Sequence, residues 1–433
     1  MSGEEDAETM MFAPKPENDF AHYIYTYYVQ CKSRFERIEA IAGKWMFRDL
    51  LPGMSDFDTR FIIRDGMSVD HWCQMSTAVG EAHLALCESH SCWARNLEHL
   101  PGINLTWSEL TSERTYYPEY QQWSFYHSEH PTKIGLARDW FARRPWDTKD
   151  EYFHLKKLCT FYGRYNRTID PPINLGIHEN KYPLHSRLMH YFTPAVQAAA
   201  CLLDRRSITG KFDSLEIVQR RFPRLACWRM VQEILHANYE LPRWYREPLL
   251  SQLEDELEAA LRTIVVEVRK CLTLVPQHIG ADVSAWSKVL HEAPIDPSLI
   301  IVENVRFCRL MKGRLLFYAK APAHFHSSWL IGNELGRIGA SFFRAPFIAY
   351  WKIKTGQSIT EPEAILDSLR GDLLTSTEVA ATKEFARLTP GHWERGQENQ
   401  IALAIVDVFD DFFKAITKVA ESVYQRETTN AKR

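Results

Sequence analysis

The first hydrophobic pattern in the chain predicts a long helix. Between Phe20 and Ala42, apolar residues return every three or four positions, which is the period of one helix face. Asn18 and Asp19 precede this run, and both residue types are favoured as helix caps. Gly43 follows the run, and we expect this glycine to end the helix.

A different pattern begins after Gly43 and predicts strands. Pro52 and Gly53 indicate a loop, and residues 57–63 form a short apolar run typical of a strand. A helical pattern follows at 68–87, and a second strand-like run follows at 103–109. The order helix, strand, helix, strand predicts a small α/β unit.

The remaining two thirds of the chain show mostly helical periodicity. One long stretch is 248–272, where leucines keep one face apolar. The segment 275–298 is rich in Pro, Gly and Ala, which is typical of a join between two domains. We therefore predict an α+β protein in which a small mixed-sheet domain precedes a large helical region. The predicted parts are a disordered tail at 1–17, an α/β domain at 18–130, a helical domain that binds substrate or nucleotide at 131–275 and a second helical domain at 276–433.

Composition and charge narrow the class of protein. Of its 433 residues, 45% are hydrophobic and 25% are charged, a composition typical of globular proteins. The net charge of −3 disfavours a long polynucleotide as the binding partner. Nine cysteines without a C-x-x-C pair indicate free thiols, and the acidic start at 1–6 does not resemble a signal peptide. We expect a cytoplasmic protein without a membrane span. The sequence does not indicate an oligomeric state.

Two aspartates carry the candidate chemistry. In a strand, Asp56 and Asp58 would point to the same face, whereas Phe57 would point into the core. Carboxylates that converge in this way repel unless a cation lies between them, and Mg²⁺ prefers one or two carboxylates with phosphate oxygens and water. The pair therefore predicts a Mg²⁺ site that handles a phosphorylated substrate.

The surrounding motif resembles the polymerase-β-like nucleotidyltransferase superfamily. It consists of Gly43-Lys44, a loop, and Ser55-Asp56-Phe57-Asp58, with thirteen positions from Gly43 to Asp56. The stretch 47–51 is also similar to CCA-adding enzymes and bacterial poly(A) polymerases, although their later Arg-Arg-Asp motif is absent. The resemblance implies Mg²⁺-dependent transfer of a nucleoside monophosphate from a nucleoside triphosphate to a hydroxyl group, with release of pyrophosphate.

The same resemblance implies roles for further residues. Glu109, at the end of the second strand-like run, is the candidate third carboxylate, although its position there is unusual for the family. Residues 195–223 look like the helical domain of small-molecule nucleotidyltransferases, in which a lysine reaches the triphosphate. Arg60 would share the face of Asp58, where it either contacts phosphate or pairs with the aspartates. The residues implied to contact nucleotide are Gly43, Lys44, Ser55, Arg60 and Lys211.

The acceptor remains open between several alternatives. Net acidity and the missing Arg-Arg-Asp motif favour a small molecule over RNA, and an RNA or protein acceptor is the alternative within enzymes. A non-catalytic scaffold with a nucleotidyltransferase fold is the alternative outside enzymes. The basic pair Lys156-Lys157 either lines a substrate cleft or is a solvated surface, and the aromatic residues in 116–126 either stack on a base or belong to the core.

Overall fold

The computed structural model has an α+β architecture, with one small sheet near the N-terminus followed by a helical region. It describes residues 20–50, 57–89, 100–166, 187–236, 247–293, 296–321, 331, 334–336, 338–389 and 396–430. This confirms the predicted order of a small mixed sheet and then helices. The predicted tail at 1–17 lies outside the described residues.

The sheet has four strands in the order β3-β2-β1-β4. Their bounds are β1 Ile38–Gly43, β2 Thr59–Ile63, β3 Leu105–Thr106 and β4 Ser124–Ser128. β1 is antiparallel to both β2 and β4, and β2 is parallel to β3, so the sheet is mixed.

Helices make up most of the described chain. Those that flank or follow the strands are α1 Phe20–Arg34, α2 Val69–Ser89, α3 Trp107–Leu110, α4 Pro131–Arg143, α5 Thr148–Asn166, α6 Thr193–Asp204, α7 Lys211–Arg221, α8 Cys227–His236, α9 Glu247–Cys271, α10 Val283–Glu292, α11 Pro297–Ile300, α12 Met311–Lys320, α13 Ala345–Thr355, α14 Ser376–Leu388 and α15 Glu398–Asn430. Wider π turns occur at Arg187–Phe192, Ile301–Arg306 and Ile338–Arg344, and tight 3₁₀ turns at Phe47–Asp49, Glu113–Thr115, Pro118–Gln122, Phe307–Leu310 and Pro362–Leu369.

The predicted first helix is too long, because its last part is one of the two inner strands of the sheet. α1 ends at Arg34, and the residues from Ile38 to Gly43 form β1. Every residue of β1 is buried, so the strand lacks the alternation of apolar and polar residues that would distinguish it from a helix. Gly43 therefore ends a strand and not a helix.

Two further strand predictions need correction. The second strand-like run contains only the short β3, because Thr106 caps α3 by accepting a hydrogen bond from the Glu109 N–H group. The first run begins as a strand at Thr59, since the Thr59 N–H donates to the Phe57 carbonyl at 2.7 Å in a tight turn. Phe57 is nevertheless buried, as predicted, and its ring packs against Phe20.

The hydrophobic core has three parts. One part joins α1 and α2 to the C-terminal helices, as Ile24, Met75, Phe317 and Phe412 show. A second part lies on the other face of the sheet, and a third fills the helices between α5 and α10. Trp286 of α10 belongs to this third part. The predicted boundary between 275 and 276 stays a prediction, although α10 packs with the helices that precede it.

None of the helices in the described segments is both long and apolar enough to cross a membrane.

Two glycines bring α2 and α12 into backbone contact. A Cβ atom on Gly80 would lie 2.7 Å from the carbonyl oxygen of Gly313, and a Cβ atom on Gly313 would overlap the carbonyl oxygen of Ser76. The Gly313 N–H also donates to Ser76 Oγ at 2.9 Å. Because the obstructing atoms belong to the backbone, a larger residue would have to move a helix.

We predict that Gly313→Ala lowers the free energy of unfolding by about 1–3 kcal/mol, the usual cost of overpacking. Urea denaturation measures this change. Gly135→Ala is the matched control, because Gly135 also lies in a helix but its added Cβ would meet nothing within 4 Å. The control should leave stability unchanged or raise it by up to about 1 kcal/mol. Equal losses in the two variants would contradict the close contact.

Candidate functional site

The candidate site lies at one end of β1 and β2. Gly43, the last residue of β1, stands opposite Thr59, the first residue of β2. The Lys44 N–H donates to the Asp58 carbonyl at 3.2 Å, so Gly43 and Lys44 lie directly beside Asp58. Ser55 and Asp56, which the sequence predicts in the same site, lie outside the described residues.

Asp58 is held by two basic side chains. Arg60 Nη1 donates to Asp58 Oδ1 at 3.2 Å, and Lys44 Nζ lies 3.9 Å from Asp58 Oδ2. The Asp58 side chain remains 23% exposed. The carboxylate is therefore oriented by Arg60 and still reaches solvent.

Arg60 connects Asp58 to a second carboxylate, that of Glu119. Arg60 Nη2 lies 3.1 Å from Glu119 Oε1, which also accepts a hydrogen bond from Trp123 Nε1 at 3.1 Å. Burial alone would raise the pKa of Glu119, but Arg60 and then Lys44 lower it. Arg60 thus forms ion pairs with acidic side chains, which is one of its two predicted roles. The other role, contact with phosphate, stays a prediction.

Gly43 allows an aromatic ring to approach the strand end. A Cβ atom on Gly43 would overlap the ring of Tyr126. The Tyr126 hydroxyl donates to the Trp45 carbonyl, and its ring stacks on Phe47 with centroids 4.5 Å apart. The glycine is therefore required by the packing of β4 against the turn after β1.

Three lysines surround the ring of Trp45. The Nζ atoms of Lys44, Lys157 and Lys211 lie 5.2, 5.8 and 4.4 Å from the ring centre. We refer to these three residues as the lysine triad. They come from the end of β1, from α5 and from the start of α7. The structure therefore places Lys211, predicted from the helical part of the sequence, against the same ring as Lys44.

Asp49 fixes the position of Lys211. Asp49 is fully buried, and its Oδ1 accepts a hydrogen bond from the Phe212 N–H at 3.0 Å. Its Oδ2 accepts one from the Met46 N–H at 3.1 Å. Burial raises the pKa of Asp49, whereas these N–H groups and Lys211 oppose that rise. A carboxylate from the turn after β1 thus caps α7 at the residue after Lys211.

Lys157 is held in the lysine triad by a hydrogen bond to a glutamine. Lys157 Nζ donates to Gln197 Oε1 at 2.6 Å, and Gln197 Nε2 donates to the Ile208 carbonyl at 3.1 Å. Burial, followed by the positive charge of Lys44, lowers the pKa of Lys157 to about 7. The side chain is held in position, while burial and Lys44 disfavour its positive charge.

Glu109, the predicted third carboxylate, does not join Asp58. β2 and β3 are parallel and pair Ile62 with Leu105, so Asp58 precedes one strand and Glu109 follows the other. The two acids therefore lie at opposite ends of the strands. Glu109 instead accepts two hydrogen bonds of 2.7 Å from Arg309 and completes the capping box of α3. The physical reason is the parallel pairing, which the sequence does not reveal.

A cavity of about 540 Å³ lies next to this site, with Glu119 in its wall. Its other walls come from α5, α10 and the segment around Glu303, where Lys156 Nζ pairs with Glu303 Oε1 at 3.1 Å. Aromatic side chains line much of the remainder, including Tyr117, Tyr152 and Phe342. The volume suits a small organic molecule.

Comparisons with protein-family models, with curated proteins and with solved structures give no match to the chain. The likeness to nucleotidyltransferases therefore rests on the sequence alone, on the motif between Gly43 and Asp58 and more loosely on residues 195–223, and stays a prediction.

The sequence indicated some members of the site and missed others. Lys157 belongs to the basic pair Lys156-Lys157, and a position in a substrate cleft is one of the two interpretations that the sequence offers for this pair. Glu119 and Tyr126 lie within the aromatic segment 116–126, but nothing in the sequence pattern indicates that Glu119 belongs to the site. The sequence pattern does not indicate a role for Trp45 either, although it stands next to Lys44. Its role depends on contacts with α5 and α7, which are distant in the sequence.

We predict that Glu109→Gln destabilises the fold. Arg309 and then Arg306 outweigh burial and lower the pKa of Glu109 from 4.5 to about 2. Ionised Glu109 therefore contributes roughly 3 kcal/mol above pH 4.5, and this contribution disappears as the pH falls toward 2. The variant should lose about that much at pH 7 and show a flatter dependence of stability on pH below 4.5, as measured by urea denaturation.

Glu81→Gln provides the control for this prediction. The Glu81 side chain is 55% exposed and lies 3.5 Å from Arg34, so its loss should change the free energy of unfolding by less than about 0.5 kcal/mol. A Glu109→Gln variant as stable as wild type at pH 7 would show that the pair with Arg309 does not stabilise the fold.

Proposed function

We propose that the chain binds a nucleoside triphosphate at the lysine triad and transfers its nucleoside monophosphate to a hydroxyl group, with release of pyrophosphate. The observation that carries this proposal is the convergence of Lys44, Lys157 and Lys211 on Trp45, beside Asp58. A polyanion bound beside this ring would gain charge-assisted hydrogen bonds from the lysine side chains.

Mg²⁺ would be held by Asp56 and Asp58. In the described part of the chain no group of three or more His, Cys, Asp or Glu side chains is arranged to hold a metal ion. Mg²⁺ typically needs only one or two carboxylates besides phosphate oxygens and water, and the partly exposed Asp58 suits such a role. When bound, the ion would neutralise phosphate charge during transfer. Arg60 would keep the Asp58 carboxylate oriented toward it.

The neighbouring cavity supports a small acceptor. Glu119 belongs both to the cavity wall and to the Asp58–Arg60–Glu119 chain of contacts, so a molecule in the cavity would lie close to the nucleotide site. Hydroxyl groups could donate to the carboxylates of Glu119 and Glu303, and an apolar part would suit the aromatic walls. An RNA or protein acceptor remains the alternative, and the net charge of −3 makes it the weaker one.

One observation favours a second candidate function, nucleotide binding without transfer. Asp58 and Glu119 both accept hydrogen bonds from Arg60, and Glu109 lies at the other end of the strands. Arg60 lowers the pKa of Glu119, and a carboxylate stabilised in its ionised form is a weak proton acceptor, so Glu119 is poorly suited to activate an acceptor hydroxyl. In this case the protein would be a non-catalytic scaffold that responds to nucleotide.

We predict that Lys44→Met and Lys211→Met each weaken the binding of a nucleoside triphosphate by roughly ten- to a hundredfold. The reason is the loss of a charge-assisted hydrogen bond worth about 1.5–3 kcal/mol. Isothermal titration calorimetry with ATP, GTP, CTP and UTP in the presence of Mg²⁺ measures the affinities. Lys320→Met, at an exposed position in α12, is the control and should bind as the wild type does. If the wild type binds none of the four nucleotides, both candidate functions are wrong.

Transfer itself separates the two candidate functions. With a nucleoside triphosphate labelled at the α-phosphate, Mg²⁺ and a mixture of small hydroxylated metabolites, the wild type should form a labelled product together with pyrophosphate. Asp58→Ala and Asp56→Ala should form at least a hundredfold less, because the ion would lose its ligands. A wild type that binds nucleotide and forms no more product than these variants would favour binding without transfer.

A further inference from the structure

A second cavity, of about 300 Å³, opens where β1 ends and β4 begins. We refer to this space, between Met46, Ser124, Arg138 and Thr209, as the β4 cavity. We propose that the β4 cavity binds the base of the nucleoside triphosphate and that Arg138 selects guanine there. This inference rests on the proposed function, whose nucleotide it identifies.

The β4 cavity adjoins the candidate nucleotide site. Ser124, the first residue of β4, pairs with Gly43 at the end of β1. Met46 directly follows Trp45, whose ring the lysine triad surrounds. A nucleotide whose base lies in the β4 cavity would therefore have its phosphates at the strand end, beside the lysine triad.

Aromatic side chains form the apolar part of the cavity wall. Tyr120 and Trp123 are buried, with ring centroids 4.9 Å apart, whereas Phe125 and Phe141 are only partly buried. Every nucleobase has a π face that stacks on rings of this kind. The volume is close to the lower limit of small-ligand pockets, roughly 300–1,000 Å³. The β4 cavity therefore suits a single planar ring system.

Arg138 provides the charge in the wall. It is exposed and lies one turn before Phe141 in α4, so both side chains are on the same side of the helix. Within the segments that the structure describes, Arg138 forms no ion pair, and no residue that lines the β4 cavity carries a carboxylate. The guanidinium group is therefore available to a ligand.

The donor pattern of Arg138 distinguishes the four bases. A guanidinium group has five N–H donors and no acceptor. Guanine offers two adjacent acceptors, O6 and N7, which one arginine contacts through two parallel hydrogen bonds. Adenine and cytosine present an amino group at the corresponding edge, so donor would face donor, and uracil offers a carbonyl without the second acceptor. Arg138 therefore favours guanine.

Two hydroxyl groups can accept hydrogen bonds from the N–H groups of guanine. Thr209 Oγ1 donates to the Gln121 carbonyl at 3.4 Å, and its oxygen can still accept. Ser124 supplies a second hydroxyl group in the cavity wall. The wall thus offers donors for the acceptor edge of guanine and acceptors for its donor edge.

Calorimetry with GTP, ITP, ATP, UTP and CTP in the presence of Mg²⁺ tests the inference. We expect the wild type to bind GTP and ITP, which both carry O6 and N7, roughly ten- to a hundredfold more tightly than ATP. Arg138→Met should bind GTP no more tightly than ATP. Its affinity for ATP should stay within about threefold of the wild-type value, because adenine does not accept from Arg138 in this way.

A guanine nucleotide without N7 isolates the contact with Arg138. The wild type should bind 7-deaza-GTP about tenfold more weakly than GTP, because one charge-assisted hydrogen bond is lost. Arg138→Met should bind the two nucleotides equally. Arg143→Met removes another exposed arginine of α4, which does not line the β4 cavity, and should keep the wild-type preference. Circular dichroism and thermal unfolding establish that both variants are folded.

The outcomes distinguish the two proposals. If the wild type binds none of the nucleotides, both the proposed function and this inference are wrong. If it binds ATP as tightly as GTP or more tightly, the inference alone is wrong. Equal weakening of GTP and ATP by Arg138→Met would also overturn it, because Arg138 would then contact the phosphates and not the base.

Discussion

One buried carboxylate joins the sheet to the helical region. Asp49 lies just after β1, and its two oxygens accept the N–H groups of Met46 and Phe212. The first N–H groups of a helix have no partner within the helix, and a negative charge there is favourable, so Asp49 determines where α7 begins. Lys211, the first residue of α7, is thereby held over Trp45. The other contacts at the junction depend on this one, because it sets the distance between strand end and helix.

The sequence was sufficient for the class of fold and for the features that depend on local pattern. A small mixed sheet followed by helices is observed, and α2 and α9 lie close to the predicted helical stretches. Their amphipathic periodicity is strong, since each packs one face on a core. The proximity of Gly43, Lys44 and Asp58 also agrees with the spacing in the sequence, because the antiparallel pairing of β1 and β2 brings these ends together.

The features that the sequence did not reveal depend on pairing over long distances. β1 resembles a helix in its pattern because it is buried on both faces. The half-buried β4 overlaps the end of an aromatic run that does not alternate clearly. Glu109 stands at the end of a strand-like run, but parallel pairing carries it away from Asp58. Lys157 and Glu119 reach the site only because α5 and the turn before β4 pack beside it. Their charges were visible in the sequence, whereas their convergence was not.

The core shared by the two ends of the chain has a consequence for biosynthesis. α2 ends at Ser89, whereas α15, whose apolar face completes the same core, begins at Glu398, about 300 residues later. At a translation rate of about 5–20 residues per second, α15 leaves the ribosome roughly 15–60 s after α1 and α2, whose apolar faces stay exposed during this time. During that interval the nascent N-terminal segment presents hydrophobic surface to which a chaperone would bind, and folding of this part can be completed only after translation of α15.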